Sequence, residues 1–287
     1  MITVSPNPIF LSIGPINIYY YGLVYALGFL FVYWWLHQRV KRKKLSMKKE
    51  DIDIFMIYAI IGGVVGGRLG EFIFFQPQII FSNPLEILKV WHGGMAIHGG
   101  VLGLSLAIYL FSKKYRVKFY EITDNIVIPT AIVLIFGRIA NFINAELVGT
   151  ITKVPWAVNW FGETNNAGDL VGRHPSQIYE SLKNAFIATT LFMLSIKEES
   201  FGKYKNGFLT WSFIFLYGIL RTIVTIWRED TRWFLGILGT GQVLSLIMAI
   251  IAGIILIRNY RKGNKNNENK NKSNRNKSNK KILKEKN

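Results

Sequence analysis

Seven apolar runs, each near the length of a bilayer, decide what this chain can fold into. They lie at residues 16–36, 52–75, 95–111, 122–136, 176–196, 207–226 and 235–257. A helix crossing the hydrocarbon core needs about 20 mostly apolar residues. The fourth run is the shortest and continues into residues 137–143. These runs are too long and alternate too weakly for barrel strands. A bilayer also offers no water to unpaired backbone groups, so the runs must be helices. The expected fold is an all-α polytopic membrane protein of about seven transmembrane helices with a small outward-facing head region. Half of the 287 residues are hydrophobic, which a soluble domain does not normally combine with runs of this length.

Charge sets the orientation. The formal net charge is +18, and most of it sits in residues 258–287 and 38–50, which flank apolar runs. A nucleic-acid-binding protein carries its basic residues on a folded face, so no nucleic-acid partner is expected. With seven spans, the loops RVKRKKLSMKK, KKYRVK and KEESFGKYK and the C-terminal tail fall on one side. The positive-inside rule makes that side cytoplasmic and puts the N-terminus outside. The tail, NKNNENKNKSNRNKSNKK, is polar and of low complexity, so residues 258–287 read as a basic disordered cytoplasmic tail with some attraction to anionic lipids.

There is no cysteine, which excludes disulfides, thiolate metal sites and a cysteine nucleophile. Any thiol chemistry must use a thiol of the substrate. The N-terminal segment MITVSPNPIFLSIGPI lacks the basic region of a cleavable signal, so the first apolar run is read as retained. Residues 1–257 read as one seven-helix domain. Within it, 137–175 form a turn-rich outer head rich in Trp, Asn, Gly and Pro.

Ionisable groups in or beside spans are costly and are functional candidates by default. Arg68 sits in GGVVGGRLGE, either serving chemistry or pairing with Glu71 in close helix packing. His98, in WHGGMAIHGG, lies at the mouth of the third span between glycine pairs, where a backbone can approach a ligand. Histidine also takes protons near neutral pH. His92 lies nearby, but no third ligand at metal spacing follows, so no metal is expected. In FGRIANFINAELVG, Arg138, Asn141 and Asn144 recur every three residues and share a helix face, with Glu146 just beyond. Such a face suits a phosphate ester; equally, it suits a polar network that knits helices together. RHPSQIYE opens the fifth span with Pro175 in its first turn and Gln177 or Glu180 as its cap. Arg221, in YGILRTIVTIWRED, lies deep enough in the sixth span to need a partner.

These segments resemble the prolipoprotein diacylglyceryl transferases. GRIANFINAELVG is similar to the family signature, supported in order by SIGPINIYYYGLVYALGF, GGRLGE, GGMAIHGG, RHPSQIYE, YGILR and GQVLS, over residues 12–257. The resemblance implies a multi-pass enzyme of the bacterial cytoplasmic membrane, and no cofactor is expected, since displacement of a phosphate ester by a thiolate needs charge stabilisation but no redox partner. Its partners would be phosphatidylglycerol, membrane lipids and prolipoprotein signal peptides carrying a lipobox cysteine. Carried over position by position, Tyr21, His98, Arg138, Asn141, Glu146, Gly149 and Arg221 match residues the family uses. The expected catalytic set is His98, Arg138, Arg221 and Glu146; Arg138, Tyr21, Asn141, Gly149 and Arg221 would bind phosphatidylglycerol. Two positions depart from the family. Where some members have Glu four residues after the second arginine, this chain has Thr225, so the carboxylate partner is either missing or moved, with Glu229 as the candidate. His92 stands where relatives often have Asp.

The reaction implied is transfer of the sn-1,2-diacylglyceryl group from phosphatidylglycerol to the lipobox thiol. It forms a thioether, releases glycerol 1-phosphate and opens lipoprotein maturation. An anion transporter built around the same arginines would show inverted repeats or paired broken helices, and the sequence has neither.

Overall fold

The computed structural model describes residues 2–14, 16–90, 93–201, 207–229, 232–234, 238–239 and 241–259. Two expectations fall elsewhere: His92 and nearly all of the basic tail lie outside the described residues.

Eight α-helices, six short strands and a 3-10 helix at Pro84–Leu88 are found among the described residues. The helices are α1 (Tyr20–Lys41), α2 (Asp51–Phe74), α3 (Pro77–Ser82), α4 (Ile97–Tyr115), α5 (Phe119–Ile143), α6 (Ser176–Phe201), α7 (Phe208–Val224) and α8 (Gly241–Asn259). α7 ends in a 3-10 turn, Thr225–Trp227. Four of these segments, α2, α5, α7 with its added turn, and α8, are long and apolar enough to cross a membrane. Their outward faces are apolar, with Ile57, Ile61 and Leu69 exposed on α2 and Ile250 and Ile254 on α8. Such faces would be unstable in water and suit lipid. The chain is a helical, multi-pass membrane protein.

The first apolar run does not begin as a helix. Residues 9–13 (β2) pair antiparallel with Ile16–Tyr19 (β3), and α1 starts only at Tyr20. Alternation of β-branched and aromatic residues on either side of Gly14 favours this hairpin, and Gly14 accepts φ of +59°. At its other end α1 outruns the apolar stretch and reaches Lys41, because long basic side chains cover apolar surface while keeping their charge in water. The remaining strands are β1 (Ile2–Val4), parallel to β4 (Val158–Trp160), and the pair β5 (Arg232–Phe234) and β6 (Leu238–Gly239).

α5 runs without interruption through Pro129 and ends at Ile143, so the turn-rich segment begins after residue 143 rather than at 137. A proline in a helix removes the donor for the carbonyl four residues earlier. That carbonyl belongs to Asn125, and the Trp35 indole N–H donates to it at 2.9 Å. The helix therefore keeps its apolar environment without an orphaned acceptor.

The chain divides into two compact units, Phe29–Ile126 and Met1–Gly28 with Val127–Asn287. The division falls inside α1 and α5, so no linker in the sequence marks it. The first unit is centred on Leu36, Ile52, Phe55, Ile108, Phe111 and Ile122. Its α2 and α4 meet along glycines: a Cβ at Gly66 would stand 2.5 Å from the Gly99 carbonyl, and one at Gly70 would stand 2.7 Å from the Gly99 Cα. In lipid, such close backbone contact replaces the hydrophobic drive that water supplies elsewhere. In the other unit, α6 joins α5 through polar bonds: Ser181 Oγ donates to the Ile135 carbonyl and Asn184 Nδ2 to the Leu134 carbonyl, each at 3.2 Å.

Candidate active site

Three cations from three helices converge on one buried carboxylate. Glu180, on the second turn of α6, has a side chain only 2% exposed. Its Oε2 takes Lys183 Nζ at 2.7 Å and faces Arg138 Nε at 3.8 Å, while its Oε1 pairs with Arg221 Nη1 of α7. Lys183 also lies over the Tyr217 ring, 3.9 Å from its centroid. The cluster carries a formal surplus of positive charge in an apolar setting, which favours binding an anion.

From Arg138 a polar chain leads along the end of α5. Arg138 Nη1 donates to Asn141 Oδ1 at 3.4 Å, and the amide of Asn141 donates to Glu146 Oε2 at 2.8 Å. Asn144 Nδ2 donates to the other Glu146 oxygen at 3.3 Å. The three-residue spacing on one face does what periodicity requires. Just after the helix, Ala145 and Leu147 both hold φ near +55 to +58°, a costly conformation for residues with a Cβ. Two α6 side chains hold this turn: Gln177 Nε2 donates to the Glu146 carbonyl at 2.6 Å and Ser176 Oγ to the Leu147 carbonyl at 2.7 Å. Gln177 is thus a clamp on the turn. Glu180 is a shared counter-ion; neither serves as a cap of α6.

Gly149 sits where three segments cross. Its N–H donates to the His174 carbonyl at 3.0 Å, and a Cβ there would lie 2.6 Å from the Trp227 carbonyl. Its place in the site is therefore close backbone approach. Tyr21, 36% exposed, packs edge-on against Tyr25, whose hydroxyl donates to that of Tyr21 at 3.3 Å.

Arg221 does not use Glu229. Thr225, at the departing position, donates its hydroxyl back to the Arg221 carbonyl at 2.8 Å, and Glu180 supplies the carboxylate. Glu229 instead accepts from Arg173 Nη1 at 2.8 Å, while Glu163 takes Arg173 Nε and Nη2 at 2.8 and 3.0 Å. This two-pronged bond holds the Glu163 carboxyl below its ordinary value, and the same carboxylate raises Arg173. Beside them, His174 Nδ1 lies 3.1 Å from the Tyr179 hydroxyl, which accepts from the Trp156 indole at 2.7 Å. Burial lowers the His174 pKa.

The other unit holds two further candidates. His98 is the second residue of α4 and is exposed. Arg68 does not pair with Glu71, whose carboxylate accepts from Gln76 at 3.1 Å. Its guanidinium, 4% exposed, instead donates to the carbonyls of Glu86, Ile87, Lys89, Gly93 and Gly94. Arg68 organises a loop. Among the described residues no group of three or more His, Cys, Asp or Glu could hold a metal ion.

The sequence reading missed Lys183 and the central role of Glu180. The signal was present, since an ionisable residue inside an apolar run is a candidate by default. Glu and Lys three apart also share a helix face.

Comparison with known proteins agrees with the resemblance. A family model described as prolipoprotein diacylglyceryl transferase matches residues 8–258. A phosphatidylglycerol–prolipoprotein diacylglyceryl transferase of Rickettsia felis is 37% identical over 260 residues, covering 89% of this chain and 98% of its own. Enzymes of the same name from Rickettsia conorii and Rickettsia bellii are 38% and 37% identical, covering 98% and 94% of their own lengths. With the signature residues gathered around Glu180 and Glu146 and the match running nearly end to end, the chain belongs to the prolipoprotein diacylglyceryl transferase family.

Proposed function

We propose that this transferase moves the sn-1,2-diacylglyceryl group of phosphatidylglycerol to the cysteine of a prolipoprotein lipobox, the first step of bacterial lipoprotein maturation. The observation that carries the reading is the family match over residues 8–258, joined to the cluster in which Arg138 and Arg221 flank Glu180. Phosphatidylglycerol, prolipoprotein signal peptides and membrane lipids are the partners. The protein lies in the bacterial cytoplasmic membrane with seven spans. Residues 1–257 form the catalytic domain, its head faces outward with the N-terminus, and the basic tail, 258–287, is cytoplasmic. The basic loops on one side support that orientation.

Arg138 and Arg221 hold the lipid phosphate. The planar guanidinium suits a phosphate in two-pronged fashion, and the contacts of Arg138 to Glu180 and Asn141 are long enough, 3.8 and 3.4 Å, to give way to it. The substrate thiol loses its proton to a base, for which His98 is the first choice on the chemistry of histidine. The thiolate attacks the glyceryl carbon bearing the phosphate ester. A carbon–sulfur bond forms, the carbon–oxygen bond breaks, and its electron pair leaves with glycerol 1-phosphate. Negative charge grows on the departing phosphate, where fixed donors each contribute about 3 kcal/mol in comparable sites. Glu146, held by Asn141 and Asn144, and Tyr21 orient the headgroup. Gly149 keeps the turn close enough for them to do so.

The test uses detergent-purified protein, phosphatidylglycerol and a lipobox peptide, with mass spectrometry of the peptide cysteine. Wild type gives the diacylglyceryl adduct and Arg138→Ala does not. No adduct from folded, lipid-supplied wild type overturns the reading. Full turnover by folded Arg138→Ala overturns the role given to Arg138.

A further inference from the structure

Lys183 stands outside the chemistry just described, yet it is among the most deeply buried cations of the chain. Its side chain is 2% exposed and its ammonium makes the short contact, 2.7 Å, to Glu180 Oε2. Burying an ammonium in an apolar helix is expensive, and a single ion pair offsets that cost only with good geometry. Its second contact is the face of Tyr217 on α7, a favourable seat for a cation. A residue with no bearing on the site would be cheaper as leucine or alanine.

Its position has a definite consequence for Arg138. An arginine and a carboxylate left alone form a fork-to-fork pair, two parallel bonds using both carboxylate oxygens. Glu180 cannot offer that face to Arg138. Lys183 occupies Oε2, Arg221 occupies Oε1, and only Arg138 Nε approaches, at 3.8 Å. Arg138 remains 19% exposed, with Asn141 at 3.4 Å on Nη1. The ammonium suits this task because it is a compact point charge that binds one oxygen.

We propose that Lys183 is a positioning residue that holds Glu180 away from Arg138 and so keeps the Arg138 guanidinium open to the lipid phosphate. The inference rests on the reading that Arg138 binds that phosphate. Without Lys183, the carboxylate becomes an internal competitor for the guanidinium. An internal competitor lowers the fraction of protein competent to bind, which raises apparent KM in proportion and leaves kcat at saturating lipid nearly unchanged.

The test is Lys183→Met, assayed for diacylglyceryl transfer across a range of phosphatidylglycerol concentrations. Binding of short-chain dihexanoyl phosphatidylglycerol is measured in parallel by calorimetry, so that a preparation without turnover still reports. The expected result is a rise of about 10-fold in KM and Kd with kcat within about 2-fold of wild type. Lys183→Arg, which can still hold Oε2, stays near wild type in Kd. Glu180→Gln added to Lys183→Met removes the competing charge and brings Kd back toward the wild-type value. Unchanged Kd in folded Lys183→Met overturns the inference, as does a raised Kd that Glu180→Gln leaves raised. If Lys183→Met fails to fold, Lys183→Gln takes its place in the same cycle. Wild-type Kd in folded Arg138→Ala would instead overturn the reading beneath it.

Discussion

Arg68 and Arg138 carry the same warning in the sequence, a guanidinium inside an apolar helix beside glycine, yet their surroundings are opposites. Arg68 is satisfied on every nitrogen by backbone carbonyls between Glu86 and Gly94, stacks over Phe72 at 4.7 Å and is 4% exposed. Arg138 has a carboxylate at 3.8 Å and an amide oxygen at 3.4 Å, and it keeps 19% exposure. A saturated guanidinium cannot take a ligand without surrendering hydrogen bonds of similar strength. A loosely held one exchanges long contacts for short, charge-assisted ones. Burial of an arginine therefore does not separate scaffold from site. How fully its donors are used does.

The comparison predicts opposite failures. Arg138→Ala leaves the protein inserted and folded, with transfer reduced by about 100-fold or more, the equivalent of about 3 kcal/mol of transition-state stabilisation. Adduct yield and thermal midpoint in detergent measure the two halves of that statement. Arg68→Ala deprives buried carbonyls of their donor and costs about 3 kcal/mol or more in stability. The expected readout is a lowered midpoint and poor recovery from membranes. If Arg68→Ala were as stable as wild type and inactive, the contrast would be reversed and Arg68 would belong to the site.

The contrast also explains what could be read from residues alone. The spacing of Arg138, Asn141 and Asn144 put them on one face, and the structure places all three in one polar chain that reaches Glu146. The glycines of GGVVGGRLGE announced close packing, and α2 meets α4 there. The partners of the arginines were not legible, because a counter-ion is chosen by tertiary geometry. Glu71 lies three residues from Arg68 but bonds Gln76; Glu229 lies eight from Arg221 but bonds Arg173. Glu180 looked like a helix cap because it follows a proline, and nothing in linear order placed Arg138 and Arg221 beside it. The β2–β3 hairpin was hidden for a related reason, since apolar strand residues and the start of an apolar helix read alike over so short a stretch.

Packing between α2 and α4 offers a smaller test within the scaffold. Gly70→Ala would place a methyl 2.7 Å from the Gly99 Cα, with backbone rather than a pliable side chain in its way. Overpacking of this kind costs about 1–3 kcal/mol, less than removal of Arg68. The readout is the thermal midpoint, with kcat of the folded fraction unchanged. An unaltered midpoint would mean that α2 and α4 part at little cost and that the glycine contact does not hold the first unit together.

The weakest expected effect belongs to the turn-rich segment after α5, where the ion pairs are well formed but near the surface. Glu163 is 41% exposed beside Arg173, so its bond contributes less than about 1 kcal/mol. The carboxyl is held below its ordinary value of 4.5, so the folded state keeps it charged more readily than the unfolded state does. Its contribution is present above pH 4.5 and is lost as pH falls through the depressed folded value. His174 acts in the same direction at higher pH. Burial lowers it from 6.5, the folded state favours neutral imidazole, and that contribution fades as pH drops below 6.5 toward the folded value. The thermal midpoint should thus decline in two shallow steps on acidification, on the order of 1 °C each. Glu163→Gln should erase the lower step and leave the upper one. His174→Asn should do the reverse. A decline insensitive to both substitutions would mean that neither the Glu163–Arg173 pair nor His174 sets the acid sensitivity of the fold.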